Sequence, residues 1–373
     1  MIRGAVGDGR ADDTAAFEAA IASCKGALDI PAGCFLLRRA LVFSGRAVGI
    51  RGCGPGVTEL RWAADAASRG VYCRQDSCAW PVTVRDLTLS VAGSGMQPAE
   101  ALTLDYRGQM QNLGPPMGWT SLDRFAPRFL IENVWICGVG GPLAAGWQTG
   151  VDIIAGLSGT LRNVVVQGWG PDPDTFGTAV NGIALRGAAD GYVYGGHPCE
   201  LTVDTCTVRF AQNALYVNGV EGVFVRGCNF VGVNVGICCI AGDVPLPQLN
   251  VRDTHVNAAQ LGIYATRQGQ SHFSGNLIYC IQKPTNSFVG LYLVGVADFE
   301  ILGNTFASTN TTAFDVNHAV LTGCAWGVID GNVFKDGGNA KTALWLQSGT
   351  SHCKVGGSNV FDGTFLYQIL DQQ

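Results

Sequence analysis

The chain has 373 residues, of which 47% are hydrophobic, only 14% charged and 52 are Gly, with a formal net charge of −5. Its 24 Lys and Arg argue against a nucleic-acid or anionic-membrane partner. No apolar run reaches the roughly 18 residues that cross a bilayer, and abundant Gly with few charges suits many short strands joined by tight turns.

The opening residues 4–24, GAVGDGRADDTAAFEAAIASC, predict a turn followed by a helix. Gly7-Asp8-Gly9 is a tight turn in which Gly tolerates positive φ. Asp12, Asp13 and Thr14 supply capping oxygens to a helix whose apolar face is Phe17, Ala20, Ile21 and Cys24 and which Gly26 ends. No secretory leader is expected, because the polar turn stands where an apolar segment would be. Ile30-Pro31-Ala32-Gly33 breaks a short strand before Phe35-Leu36-Leu37, and AVGIRGCGPGVTELRW follows at 47–62. Residues 1–45 are therefore read as a cap on a domain that extends over 1–373.

From residue 46 to 362 the chain repeats. A six-residue pattern, apolar-x-x-small-x-apolar, begins at 84, 131, 161, 203, 225, 251, 273, 301, 329 and 355. A second pattern alternates with it, as in ALTLDYRG (101–108), GVDIIAG (150–156), GIALRG (182–187) and ALYVNG (214–219). From 203 onward the first pattern returns every 22 to 28 residues, about one coil of a parallel β-helix. Its fourth position reads Cys206, Cys228, Thr254, Asn276, Asn304, Asn332, Ser358, which predicts an internal polar ladder. Its sixth reads Val208, Phe230, Val256, Ile278, Phe306, Phe334, Val360, which predicts an apolar stack. Residues 363–373 are left as a C-terminal tail. The 14 cysteines lack the CxxC…CxxC spacing of a zinc site and read as small buried hydrophobes in a protein that folds in a reducing cytoplasm.

Four insertions, at 107–127, 139–150, 168–180 and 187–200, fall on consecutive coils and are expected to line up as lips along the rod. They carry Trp119, Trp147, Trp169, Phe176, Tyr192 and Tyr194 beside Asp123, Asp172, Asp174, His197 and Glu200. Flat rings beside carboxylates suit sugars, which present apolar faces and polar edges; equally, such rings pin long loops or fill a subunit interface. Glycoside hydrolysis needs two carboxylates about 5–10 Å apart. Asp172, Asp174, Glu200 and Asp204 are the acid/base candidates, with His197 nearby, and Trp119, Trp147, Trp169, Tyr192 and Tyr194 the sugar platforms. Each has a plainer reading. Asp172-Pro173-Asp174 is also a turn initiator, His197 a loop hydrogen-bonder, and Asp204 a member of an outward charge column Glu132, Arg162, Asp204, Arg226, Arg252. Asp253 with His255 forms a further candidate site, and His197 with Arg209 would serve a lyase. No metal or cofactor is called for.

GDG-x-x-DDT (7–14), IPxGxF (30–35) and IxGxGPxxTxL (50–60), in this order, resemble the N-terminal cap of right-handed parallel β-helix proteins of the pectate-lyase-like superfamily, and most of all the bacteriophage tailspikes. The resemblance implies an all-β, right-handed, single-stranded parallel β-helix of about 10–12 coils with an N-terminal capping helix. It also implies a homotrimer that acts on a complex polysaccharide. No catalytic residue carries over, since the polygalacturonase, mannuronan epimerase and pectate lyase signatures are all absent. The expected function is a virion-associated polysaccharide depolymerase, a glycoside hydrolase acting on bacterial capsule or O-antigen, held by a virion anchoring protein. A polysaccharide lyase and a non-catalytic receptor-binding spike are the alternatives.

Overall fold

The computed structural model describes residues 2–64, 69–75, 80–107, 129–142, 144–170, 181–187, 199–241, 246–280, 287–308, 315–338 and 340–372. Its cap is tied together by the DDT run. The helix spans Thr14–Ser23 and buries Phe17 and Ile21, with Phe17 edge-on to Phe35 at 5.2 Å. Asp12 Oδ1 accepts the Thr14 amide at 3.0 Å. Asp13, expected to cap the helix too, makes no side-chain cap bond. It is buried and accepts the Val6 and Gly7 amides at 2.6 and 3.1 Å, fixing the turn that precedes the helix. Thr14 Oγ1 accepts the Arg38 amide at 2.8 Å. The helix ends at Cys24, which is already extended, short of Gly26. There Arg46 donates to the carbonyls of Ile21 and Cys24, satisfying acceptors that a helix end leaves open.

Beyond the cap the strands form three stacks, every rung parallel to the next. In the first, Val48, Val82, Phe129, Gly159, Leu201, Val223 and Leu249 share one register. In the second, Leu60, Leu89, Ile136, Val166, Val208, Phe230, Val256, Ile278, Phe306 and Phe334 do so. In the third the register runs Leu41, Val71, Leu102, Val151, Ile183, Leu215, Ile237, Ile263, Leu291, Ala319 and Leu344. The chain is thus a parallel β-helix. The six-residue pattern runs from first stack to second, and the alternating pattern is the third stack. These inward residues make one continuous buried core.

The corner between first and second stacks explains the small residues in the pattern. Its third position is left-handed in coil after coil, with φ 60, 54, 50 and 50° at Asp86, Asn133, Asn163 and Thr205, then 59, 51, 65, 63 and 66° at Gly227, Asp253, Gly275, Gly303 and Gly331. Gly, Asn and Asp tolerate this geometry best. The next residue points inward and builds the ladder. Asn276 Nδ2 donates to Asn304 Oδ1 at 2.9 Å, Asn304 to Asn332 at 3.0 Å, and Asn332 to Asn359 at 3.0 Å. The last rung differs from expectation: Asn359, not Ser358, continues the ladder, and Phe361, not Val360, stacks on Phe334 at 5.4 Å. Ile329 pairs Val355 while Val333 pairs Val360, so the Gly356-Gly357 turn holds one residue more than its predecessor. The presumed tail is a further rung, since Tyr367–Asp371 pairs with Ala340–Leu346 in the third stack. The twelve described cysteines are free thiols, and Cys73, Cys206, Cys228, Cys239, Cys280 and Cys324 are buried. Burial pushes Cys280 up to about 12.

Candidate functional site

All four insertions are rooted at the edges of the third stack. Those at 139–150 and 168–180 join Phe129–Gly138 and Gly159–Gln167 to the third-stack strands Ala145–Ile154 and Asn181–Arg186. Those at 107–127 and 187–200 leave Gly95–Asp105 and Asn181–Arg186 for the first-stack strands Phe129–Gly138 and Cys199–Asp204. One outward face is therefore bordered on both sides over consecutive coils.

That face carries charges in unusual places. Leu102, Leu104, Val151 and Ile153 belong to the core, so by strand alternation Thr103, Asp105 and Asp152 point outward. Asp105 is nevertheless only 3% exposed and Asp152 1%. Carboxylates so desolvated need compensating partners. Arg107 Nη2 and Nε reach Asp105 at 2.6 and 2.9 Å, and the Tyr72 hydroxyl donates to it at 2.9 Å. Arg186 forks onto Asp152, with Nε at 2.8 Å from Oδ1 and Nη2 on the other oxygen. Arg69 lies over the Tyr72 ring, 4.5 Å from its centroid, and pairs with Glu100 at 3.3 Å. Burial pushes Asp105 up, but the Arg107 and Tyr72 hydrogen bonds outweigh it and hold the carboxyl below its ordinary value. Burial and the Asp105 contact push the Tyr72 hydroxyl up.

Asp152 is in register with Thr103 and Asp105 with Ile154. The two carboxylates thus sit one coil and two residues apart, about 8 Å between their Cα atoms. Farther along, the same outward column reads Ala184, Tyr216, Cys238, Tyr264, Tyr292, Val320, Trp345. The Tyr264 and Tyr292 rings are 5.5 Å apart. A charged patch and a track of rings therefore share one face. None of these residues stood among the sequence candidates. Their signal was an aspartate at an outward position of an apolar strand, as in ALTLDY and GVDIIAG.

Of the acid/base and sugar-platform candidates, Trp147, Trp169, Glu200 and Asp204 lie among the described residues. Asp172, Asp174, His197, Trp119, Tyr192 and Tyr194, with Asp123 and Phe176, lie outside the described residues. Glu200 and Asp204 share one first-stack strand, four residues apart and hence about 13 Å between their Cα atoms. Glu200 is exposed and accepts from Ser158 Oγ at 2.7 Å. Asp204 belongs to the charge column: Arg226 holds it at 3.0 and 3.1 Å and Arg162 at 3.3 Å, and Arg162 also meets Glu132 at 3.3 Å. The Arg226 hydrogen bonds first, then those of Arg162, lower its pKa despite some burial, which disfavours a general acid.

Trp147 is corrected outright: it is 3% exposed and packs edge-on to Trp62 at 5.7 Å, because residues 145–150 are not loop but the start of strand Ala145–Ile154. Half-buried Trp169 packs against the backbone at Gly146, where a Cβ would come within 2.6 Å of its own. Asp253 occupies the left-handed corner, and His255 stacks on Tyr279 at 5.3 Å, its pKa lowered by burial. Arg209 lies in the second stack, away from the charged face. Among the described residues no three His, Cys, Asp or Glu gather to hold a metal ion.

A family model described as right handed beta helix region matches residues 153–360. No curated protein sequence matches. Among solved structures, the A-module of the mannuronan C-5 epimerase AlgE4 from Azotobacter vinelandii superimposes with a TM-score of 0.68 at 17% identity, covering 98% of this chain and 95% of that one. The AlgE6 A-module from the same organism gives 0.52 at 14% identity, covering 99% and 94%. The enzymatically active domain of tailspike protein 2 from bacteriophage CBA120 gives 0.48 at 14% identity, covering 94% of this chain and 46% of that one. At such identities the two epimerase modules share the fold with this chain and nothing further follows; the tailspike overlap is looser still.

Proposed function

The chain belongs to the right-handed β-helix family, and on that premise we propose that its third-stack face binds and cleaves a polysaccharide. The observation that carries this reading is the outward, buried pair Asp105 and Asp152 on adjacent coils, on a face bordered by insertion roots on both sides. Asp105, held ionised by Arg107 and Tyr72, takes a proton from water as the oxygen attacks the anomeric carbon. The departing sugar oxygen then receives a proton from an acid, for which Asp172, Asp174 and His197 are the candidates. Tyr216, Tyr264 and Tyr292 hold the glycan along the rod. The substrate class is a bacterial capsule or O-antigen, and the setting a homotrimer attached to a virion through an anchoring protein.

Release of reducing ends from a panel of bacterial surface polysaccharides tests the reading. Asp105→Asn is expected to lower turnover about a hundredfold or more, in line with loss of a general base, whereas Asp204→Asn keeps it. Cleavage undiminished in Asp105→Asn removes this face as the site. A second reading, glycan binding without cleavage, is favoured by the guanidiniums already on both carboxylates, and retention without release would support it. Products bearing an ultraviolet-absorbing unsaturated end would instead identify a lyase.

A further inference from the structure

The first stack continues past Val251 through Phe273, Ile301 and Ile329, and the corner that opens it carries Asp298, Trp326 and His352 on successive rungs, as the pairings of Ala297 with Ala325 and Ala325 with Ser351 fix. All three are left-handed, with φ 53, 56 and 54°. The equivalent places on earlier coils hold Glu200, Gly222, Gln248 and Gln270 at φ 59, 65, 68 and 50°, so the corner imposes this backbone on whatever residue stands there. A residue as bulky as tryptophan is uncommon in this backbone, and Trp326 buries little of its ring in return, since it remains 59% exposed. Among the described residues its ring partner is His352, 5.9 Å away and tilted by 31°. Asp298 is exposed and its carboxylate has no partner among the described residues.

We propose that this corner is a glycan-binding site separate from the cleavage face. The indole offers a flat apolar surface to the C–H face of a pyranose, and Asp298 and His352, on the rungs to either side, offer hydrogen bonds to its hydroxyls. From Asp298 to His352 the corner extends over two rungs, about 10 Å. It belongs to the first stack while Asp105 and Asp152 belong to the third, so it anchors polymer without taking part in chemistry, and it stands whether or not the third stack cleaves.

The test uses the full chain, labelled with 5-fluorotryptophan, against an array of bacterial capsular and O-antigen glycans. The Trp326 resonance is assigned by its absence from Trp326→Phe. At least one glycan is expected to shift that resonance in wild type and in Asp105→Asn alike. Trp326→Ala should weaken binding of that glycan about tenfold, and Trp326→Phe by less than threefold. The proposal is overturned if no glycan on the array moves the resonance, or if Trp326→Ala binds like wild type. It is equally overturned if the resonance moves only with rising protein concentration while sedimentation reports dimers, which would make Trp326 a contact between copies.

Discussion

His318 lies fully buried within the third stack, with the rings of Phe306, Phe334 and Phe365 at 6.3, 6.2 and 5.8 Å and Nε2 at 3.1 Å from the Lys335 carbonyl oxygen. Burial pulls its pKa from 6.5 down to about 4, only partly opposed by the Lys335 carbonyl and Asp336. The unfolded chain therefore takes up this proton first as pH falls. The stability that rests on neutral His318 is whole above pH 6.5 and drains away toward pH 4. At 1.36 kcal/mol per unit the loss comes to about 3 kcal/mol. Denaturant unfolding followed from pH 7 to 4 should show this slope in wild type and a flatter one in His318→Phe; equal slopes would place the acid sensitivity elsewhere. Thr205 is a smaller case, a β-branched residue held at φ 50°. Thr205→Gly should raise the unfolding free energy by about 0.5–1 kcal/mol, read as a higher denaturant midpoint at unchanged slope. Single residues were the least legible part of the sequence. Trp147 follows Ala144-Ala145-Gly146 and Asp105 follows Leu102-Thr103-Leu104, yet strand parity sends the tryptophan into the core and the aspartate onto the outward face of the third stack. An aromatic-rich stretch looks the same whether it is loop or strand.

The asparagine ladder shows how a column of one residue type becomes a structural element. Asn304 accepts the amide and the side chain of Asn276 on one oxygen, at 3.0 and 2.9 Å, and donates to Asn332 and to the Phe273 carbonyl at 3.0 and 2.8 Å. Asn304→Ala leaves several buried groups unpaired at once, and a loss of about 2–5 kcal/mol is expected by chemical denaturation. Cys228 occupies an equivalent inward rung with a thiol donating weakly to the Val203 carbonyl at 3.5 Å. Cys228→Ala should therefore cost less than Asn304→Ala; the reverse order would show that packing, not hydrogen bonding, dominates the column. Both columns were visible in the sequence because a coil returns each residue to the same place. The slip at Ser358 was not, because nothing in a run of Gly356, Gly357 and Ser358 says how many residues a turn holds. The outward ion-pair column was legible for the same reason as the ladder, through Glu132, Arg162, Asp204 and Arg226 falling at one position of the repeat.

A rod of coils transmits stability only from neighbour to neighbour, and this arrangement makes the two ends of the molecule unequal. The N-terminal end is closed by the helix and the Asp13 and Arg46 hydrogen bonds. At the other end Tyr367–Asp371 pairs with one strand of this chain, and Val360, Leu366 and Ile369 stay exposed. The period of the sequence announced the rod, but not this asymmetry, which depends on where apolar side chains run out of partners. Hydrogen exchange should therefore report a gradient, with amides of 367–371 exchanging first and those of the Asn ladder coils at 276 and 304 among the last. Asn304→Ala should speed exchange in the coils on either side of it about tenfold or more, while the amides of Val6, Gly7 and Thr14, held by the cap aspartates, change less than twofold. Acceleration spread evenly from cap to last coil would mean that the rod opens as a single cooperative unit, and the near-neighbour account of its stability would fail.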